Sequence, residues 1–377
     1  MAITPNVLTG FTPTIYRALD VVSRELVGFI PSVSRDASEA MAAKDQVIRS
    51  FITQSAGAVD IAPASASPES GNQTVSYVDM KITKSKMVPV QWTGEEEKAM
   101  SGQYSEILAD QFAQAMRTLA NEVEADIAQL YKKASRAYGS SATTPFASSI
   151  VESAQMRKLL IDNGAPLSNM RMVVDTAAGA NLRALSNLTK ANENGSDATL
   201  RRGVLLDLNG FQIRESAGIV SHTKGTGSAD TVGANASVGE TEITVSFTDG
   251  DYVAGDVIHF GTDAAHKYVV KSAASNVITI AEPGLKVAVA SGTAVNIAAD
   301  YTPNMAFDSG AIKLLARQPA MPSVGDSAVD VMVVTDPVSG LPFQIALYKQ
   351  YRGLHYEVGL AWGCELIKPE HVAILLG

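Results

Sequence analysis

Residues 95–138 constrain this chain more than any other part, because their apolar members recur at steps of three and four. That spacing places them on one stripe of a helix with 3.6 residues per turn. Ser101-Gly102 can break the first turns. From Gln103 onward the helix would run about 50 Å at 1.5 Å per residue. The stripe consists of Met100, Tyr104, Ile107, Leu108, Phe112, Met116, Leu119, Val123, Ile127, Leu130, Tyr131, Ala134 and Tyr138.

Both ends of this segment carry the charges that a helix favours. Thr93 and Glu96 have the spacing of a capping box, and acidic residues crowd the first turn. Lys132, Lys133 and Arg136 lie near the other end, where the helix macrodipole favours positive charge. A globular enzyme rarely needs a rod this long, whereas a subunit that spans a shell and touches several neighbours does.

The charge balance argues against a nucleic-acid-binding protein. The 377 residues carry a formal net charge of −9, and phosphate affinity comes chiefly from clustered Lys and Arg. The adjacent basic pairs Lys132-Lys133 and Arg201-Arg202 are better interpreted as a solvated helix end and a loop than as DNA sites. An acidic container for DNA fits this balance, since a wall should not bind its contents tightly.

Cysteine use and apolar runs predict the compartment. Cys364 is the single cysteine, so the chain has no intramolecular disulfide, which fits a reducing compartment. The first residues lack the basic region and apolar core of a signal peptide. No apolar run approaches the roughly 18 residues of a membrane span. We expect a soluble chain that is made in the cytoplasm.

Extended elements are expected before the long helix. Helical spacing over 15–29 ends at Pro31, and a helix of small residues is predicted over 38–52. Residues 56–71 are rich in Ala, Ser and Pro, which is typical of an exposed mobile loop. Alternating apolar residues over 78–92 predict a two-stranded hairpin that leads into the helix. A hairpin alone is marginally stable in water, so we expect it to lean on a neighbour.

The composition changes sharply at His222. From there to Asp300 the chain consists of short alternating runs of Thr, Val, Gly, Ala and Ser, separated by turn signals. This pattern predicts a small all-β barrel or sandwich inserted into the main domain. The predicted elements after the long helix are helices over 144–163 and 177–188, a polar loop over 192–198, and strands over 170–174, 211–215, 242–247, 257–260, 267–270, 277–280, 294–297, 329–334, 343–348, 354–360 and 371–376.

Motifs that could bind ligands are weak. His259 and His266 could share an ion, but neither lies in a zinc-type spacing, and each is better interpreted on a surface strand or turn. Gly225-Thr226-Gly227 resembles half a dinucleotide fingerprint, yet no third glycine follows and a flexible linker is the better interpretation. Asp249 and Asp251 lack the rest of a calcium loop.

The clustered carboxylates do not form a catalytic pair either. Helix electrostatics explain the acids at 95–97, and Glu122, Glu124 and Asp126 cannot share one face at spacings of two. No Walker sequence and no Gly-x-Ser-x-Gly elbow occurs. We therefore predict no catalytic, cofactor-binding or metal-ligating residue, no cofactor, and no enzymatic activity.

Three motifs carry a resemblance to a known family. Residues 119–128, Leu-Ala-Asn-Glu-Val-Glu-Ala-Asp-Ile-Ala, resemble the spine helix of Hong Kong 97-like major capsid proteins from tailed double-stranded DNA phages. Residues 254–260, Ala-Gly-Asp-Val-Ile-His-Phe, resemble a Gly-Asp-x-Ile-x-Phe strand start in that family. Residues 304–311 resemble the return into its axial domain. The most similar branch is the coat protein of short-tailed Salmonella-type phages, which has an inserted β domain.

The resemblance implies an α+β chain with a Hong Kong 97-like capsid fold. It also implies an extended hairpin loop, a spine helix and an inserted small all-β domain. The implied parts are an N-terminal arm (1–52), an extended loop (53–93), the spine helix (94–140), peripheral and axial elements (141–221), the β insertion (222–302) and a return to the axial and peripheral domains (303–377).

The implied function is that of a structural subunit of an icosahedral capsid. Copies of the chain would form hexamers and pentamers, with a scaffolding protein, a portal protein and packaged DNA that is bound without sequence specificity. No membrane partner is expected, and the virion is the implied location. Two alternatives stay open: another self-assembling β-rich protein, such as a phage tail or surface-layer subunit, and a hydrolase on a β-sandwich.

Overall fold

The computed structural model forms a strand-rich α+β fold. The predicted loops over 56–71 and 192–198, and all but the end of the predicted helix over 15–29, lie outside the described residues. No helix in the described part combines the length and apolarity needed to cross a membrane. The structure describes residues 27–52, 75–99, 104–185, 207–247, 251–322, 326–336 and 339–377.

The helices and strands follow one another in this order. The α-helices are α1 (Gly94–Ala99), α2 (Tyr104–Ala128), α3 (Val151–Asp162) and α4 (Thr176–Ala184). The strands are β1 (Ser34–Ala42), β2 (Val47–Ile52), β3 (Ser76–Lys81), β4 (Lys84–Thr93), β5 (Arg136–Gly139), β6 (Met170–Val174), β7 (Asp207–Leu208), β8 (Phe211–Glu215), β9 (Thr231–Val232), β10 (Glu242–Ser246), β11 (Val257–Phe260), β12 (Lys267–Ala274), β13 (Val277–Ile280), β14 (Val295–Ile297), β15 (Pro303–Asp308), β16 (Ile312–Pro319), β17 (Ala328–Thr335), β18 (Pro342–Gln350), β19 (Gly353–Leu366) and β20 (Val372–Leu376).

The long helix is shorter than predicted. Its main piece, α2, has 25 residues and is about 38 Å long. A 3-10 helix, Gln129–Lys133, follows it, and Ala134 already has an extended backbone. The next residues form β5, which pairs with β20 and β12. Sheet pairing therefore overrides the helical spacing that includes Ala134 and Tyr138.

The stripe on α2 is nevertheless a core face, as predicted. Phe112, Leu119, Val123 and Ile127 are all buried in one hydrophobic cluster. The cluster also contains the six-stranded sheet, whose order is β1-β16-β19-β18-β17, with β4 on the other side of β19. The ring of Phe112 meets the ring of Tyr356 on β19 edge to face at 5.4 Å. This helix therefore holds the sheet in place.

The predicted helix over 38–52 is wrong, because these residues form β1 and β2. β1 pairs in parallel with β16, and β2 pairs antiparallel with β3. Small residues have only weak preferences between helix and strand. The available strand partners therefore determine which of the two forms. The predicted helix over 144–163 begins later than expected, at Val151.

The predicted hairpin over 78–92 is also wrong in its pairing. β3 and β4 both exist, but β3 pairs with β2 while β4 pairs with β19 along ten residues. Between them, the backbone N–H of Thr83 donates to the carbonyl of Trp362. The extended hairpin of this chain is therefore β2–β3, and residues 53–74 connect its strands.

Residues 222–302 have a hydrophobic cluster of their own. It includes Ile243, Ile258, Ile278 and Val295. The strands β11 and β13 have the bounds that the sequence predicted. However, β12 pairs with β5, so these strands continue a twelve-stranded sheet of the main fold. Whether this segment folds as a separate domain stays a prediction.

Buried Glu124 ties α2 to two distant parts of the chain. Its carboxylate accepts backbone N–H groups from Gly28 and Phe29 at 2.7 Å and from Ile30 at 3.0 Å. The hydroxyl of Ser216 donates to it at 2.5 Å. Burial raises the pKa of Glu124, and the four donated hydrogen bonds oppose that shift. The carboxylate thus supplies the hydrogen-bond acceptor that these three backbone N–H groups would otherwise lack.

We predict that Leu119→Ala destabilises the fold by about 2–5 kcal/mol, because it leaves a cavity beneath the sheet. The exposed Gln114, on the polar face of the same helix, provides the control: Gln114→Ala should leave stability nearly unchanged. Thermal and denaturant melts of the full chain measure both. An unchanged melting temperature for Leu119→Ala would show that the stripe is not core.

We also predict that Glu124→Gln costs about 2–4 kcal/mol. The amide offers one acceptor oxygen to four donors, and each unpaired buried N–H costs about 1–3 kcal/mol. Glu122→Gln is the matched control, because Glu122 forms only a half-exposed ion pair with Lys86, worth about 0–1 kcal/mol. Equal losses in the two variants would contradict an anchoring role for Glu124.

Candidate assembly surface

The β2–β3 hairpin has one buried and one exposed face. Side chains alternate between the faces of a strand, and register partners share a face. The inner face includes Ser50 and Met80, which are buried. The outer face includes Phe51 and Tyr77, which are register partners with 71% and 50% of their surface exposed. Two aromatic side chains therefore lie side by side in solvent.

The inner face fixes the root of the hairpin to the fold. Met80 belongs to a small hydrophobic cluster with Ile82, Leu315 and Ala361. The ammonium of Lys313 donates to the hydroxyl of Ser50 at 3.0 Å. The outer aromatic pair is thus presented from an anchored base.

Arg49 organises the polar part of the outer face. Its guanidinium donates to both carboxylate oxygens of Asp79, at 2.9 and 3.4 Å. It also lies 3.7 Å from the ring centre of Tyr77, which is a cation–π contact. The hydrogen bond to Asp79 raises the pKa of Arg49. The bonds to Asp79 and the cation–π contact thus give the Arg49 side chain two fixed partners on this face.

This outer face has the composition of a protein–protein contact. Aromatic residues such as Tyr, and also Arg, are enriched at the positions from which interfaces gain most of their binding energy. Val47 on the same face of β2, and Val75 just before β3, are exposed as well. A contiguous apolar patch on one chain commonly marks an interaction site. We define the outer face of β2–β3, with Phe51 and Tyr77 at its centre, as the candidate assembly surface.

The strand that leads from this hairpin is tied to α2 by charge. Lys84 pairs with Asp126 at 2.7 Å, and Lys86 pairs with Glu122 at 2.6 Å. The indole N–H of Trp362 also donates to Asp126 at 2.8 Å. Glu122 and Asp126, four residues apart, thus face β4, while Glu124 faces Gly28 to Ile30. As expected from the sequence, no single face holds all three acids.

The predicted capping box is confirmed. The backbone N–H of Thr93 donates to the carboxylate of Glu96 at 2.9 Å, and the N–H of Glu96 donates to the Thr93 hydroxyl at 3.4 Å. The bond from the Thr93 backbone N–H, and less strongly the bond that the Thr93 hydroxyl donates to the same carboxylate, lower the pKa of Glu96. The acids at the start of α1 are explained by this cap and by the helix dipole.

The two histidines singled out by the sequence both lie near Asp263, and His266 forms a hydrogen bond to it. The Nδ1 atom of His266 lies 2.8 Å from the carboxylate of Asp263. Burial lowers the pKa of His259, whose Nδ1 atom has no hydrogen-bond partner among the described residues. Asp249 lies outside the described part, and Asp251 is exposed. Within that part of the chain, no three His, Cys, Asp or Glu residues come together to hold a metal.

The structure reveals a buried polar chain that sequence spacing did not signal. The hydroxyl of Tyr131 lies 2.8 Å from Nδ1 of His222, and Nε2 of His222 lies 2.9 Å from the carboxylate of Asp256. All three residues are buried. A hydroxyl, an imidazole and a carboxylate in series can transfer protons, but here the groups are enclosed and connect the end of α2 to residues 222–302. Their separations along the chain, 91 and 34 residues, hide them from motif analysis.

The interpretation of Gly225 as part of a flexible linker is wrong. Its backbone N–H donates to the carboxylate of Asp256 at 3.0 Å. A Cβ atom at this position would lie 2.3 Å from the carbonyl oxygen of Asp251. Glycine is therefore required by close packing, and this stretch is a supporting element of the buried chain.

Several solved structures are similar to this chain. Mycobacterium phage Che8 aligns with a TM-score of 0.48 and 15% identity, covering 88% of this chain and 85% of that chain. The capsid of the native GTA particle aligns at 0.48 and 10%, covering 94% and 90%. The virus-like particle from Pyrococcus furiosus aligns at 0.46 and 8%, covering 97% and 99%. At TM-scores below 0.5, these likenesses assign no role to any residue.

No family model matches the sequence, and no curated protein matches it.

We predict that Phe51→Ser prevents self-association without unfolding the subunit. Phe51 is mostly exposed in the single chain, so its loss removes contact area for a partner but little core packing. Light scattering should report smaller species, and circular dichroism should report an unchanged melt. Phe51→Leu, which keeps much of the apolar area, should still associate. Normal association of Phe51→Ser would remove this surface from consideration.

Proposed function

We propose that this chain is a structural subunit of an icosahedral viral capsid. Copies assemble into hexamers and pentamers that enclose packaged double-stranded DNA. The fold is of the Hong Kong 97-like type, with α2 as the spine helix, β2–β3 as the extended loop, and residues 222–302 as the inserted β domain. Among such proteins, the short-tailed Salmonella-type coat protein is the proposed nearest branch.

The candidate assembly surface carries this proposal. A hairpin that is anchored on one face presents Phe51 and Tyr77 to solvent on the other, and Arg49 forms a cation–π contact with Tyr77. A monomeric enzyme gains nothing from such a projection. A shell subunit gains contact area with a second copy, which buries the aromatic pair.

The long helix supports the same role. Its apolar stripe holds the six-stranded sheet, and its acids bind Lys84 and Lys86 on the strand next to the hairpin. These ion pairs therefore connect the strand next to the hairpin directly to the helix. The buried Glu124 links the helix to Gly28 and Phe29, which lie within the proposed N-terminal arm.

A non-enzymatic role is part of the proposal. The buried series Tyr131–His222–Asp256 has the side-chain types that could transfer protons. It is enclosed by packed side chains and serves to hold the fold together. The proposed partners are a scaffolding protein, a portal protein and DNA bound without sequence specificity. Synthesis in the host cytoplasm and residence in the virion follow from that role.

Electron microscopy of the full chain, expressed alone and with its scaffolding protein, tests the proposal. We expect closed particles of hundreds of subunits. Hydrogen exchange should be fast in β2–β3 of free subunits and slower in particles, because a neighbour covers the hairpin. Tubes or flat arrays would instead indicate the alternative, a tail or surface-layer subunit. A monodisperse monomer under all conditions would contradict both.

A further inference from the structure

Three arginines that are distant in sequence converge beside the start of β6. Arg171 lies on β6 and Arg214 on the neighbouring β8. Arg35 is the second residue of β1, and Ser34 before it is linked to this region through the backbone. The N–H of Ser34 donates to the carbonyl of Ser309, and the N–H of Ser309 donates to the carbonyl of Asn169.

The strand register places two of these arginines on one face. β6 and β8 are parallel, with Arg171 opposite Gln212 and Val173 opposite Arg214. Because side chains alternate and register partners share a face, Arg171, Gln212 and Arg214 project to the same side. A strand spacing of about 4.8 Å and a rise of about 3.3 Å put the Cα atoms of the two arginines about 8 Å apart.

The charges of Arg171 and Arg35 act on Arg214. The pKa of Arg214 is lowered, first by burial and then by the charges of Arg171 and Arg35. Asp207 opposes these effects and is the smallest of the contributions. In a chain with a net charge of −9, this is a local concentration of positive charge.

The donors of this cluster are incompletely used. Neither Arg171 nor Arg214 forms an ion pair within the described part of the chain. The Nε atom of Arg171 is buried without a hydrogen-bond partner. Arg214 and Gln212 are exposed, so an incoming anion can reach them. The exposed Arg214 guanidinium and Gln212 amide are therefore the groups that an anion would contact first.

We propose that Arg171, Gln212 and Arg214 form a binding site for phosphodiester groups of a nucleic-acid backbone, with Arg35 adding to the positive field. The guanidinium forks match phosphate oxygens in pairs, and the Gln212 amide adds a neutral donor between them. The site reads no base, since every contact goes to phosphate.

A nucleic acid is favoured over an acidic protein segment for two reasons. The cluster is open on a strand near the end of the sheet, where the outer neighbour of β8 among the described strands is the two-residue β7. A repeating polyanion can pass across such an open face. The choice also rests on the proposed function, in which the chain encloses DNA. A few weak contacts per subunit would hold DNA near the wall without binding it tightly.

Fluorescence anisotropy with a labelled 20-base-pair DNA and the full-length chain tests the site. We expect the double variant Arg171→Gln/Arg214→Gln to bind at least about tenfold more weakly at low salt. The slope of log K against log salt concentration should fall by about 1–2, because each lost phosphate contact contributes about 0.9. Arg214→Lys, which keeps the charge but loses the fork, should be intermediate.

The control is Lys271→Gln/Lys349→Gln, which removes the same charge from exposed positions elsewhere. It should change the affinity less than about twofold. Equal weakening by both pairs, or no weakening by the arginine pair, would overturn the site. So would displacement of DNA by polyglutamate as effectively as by unlabelled DNA, because the occupant would then be a carboxylate-bearing segment.

Unchanged melting curves establish that the variants are folded. Electron microscopy of the same preparations distinguishes a failure of the phosphate site from a failure of the proposed capsid role. Particles that form without arginine-dependent DNA binding would refute this site alone. Arginine-dependent binding by a chain that never assembles would refute the capsid role and leave the phosphate site standing.

Discussion

The carboxylate of Glu124 is the contact on which the arrangement of this chain depends. It lies on the inner side of α2 and accepts backbone donors from three consecutive residues, Gly28 to Ile30, as well as the Ser216 hydroxyl. A buried charge is tolerated only when its hydrogen bonds are complete, and here they are. The segment before β1, the long helix and the end of β8 are therefore held at one point. The β2–β3 hairpin has its own anchor, in the cluster around Met80 and the bond from Lys313 to Ser50.

The outward features divide into two kinds of surface. The candidate assembly surface is apolar and aromatic, with one cation held over Tyr77. The cluster of Arg171 and Arg214 is cationic and includes a hydrogen-bond donor without a partner, the Nε atom of Arg171. Under the proposed function, the first surface would serve contacts between copies and the second would face the contents of the shell. In the interior, Tyr131, His222 and Asp256 form hydrogen bonds with one another.

Periodicity identified much of the fold because local patterns reflect burial. The stripe through Leu119 and Val123 is core, and β11 and β13 have their predicted bounds. The failures occur where partners are distant. Residues 38–52 are strands because β16 and β3 pair with them, and β4 joins β19 rather than β3. Helical spacing carries no information about which distant strand offers a free edge.

The sequence by itself determined the amphipathic helix, its capping box, the β-rich composition after His222 and the absence of a recognisable catalytic motif. These features depend on residues a few positions apart, and the spacing of such residues indicates which face of an element is buried. Only the tertiary structure decided that β2–β3 is the projecting hairpin, that Glu124 is an anchor rather than a solvated acid, and that Arg171 and Arg214 share a face. Each of those facts joins residues far apart along the chain, and chain closure over such distances is set by packing of the whole fold rather than by local preference.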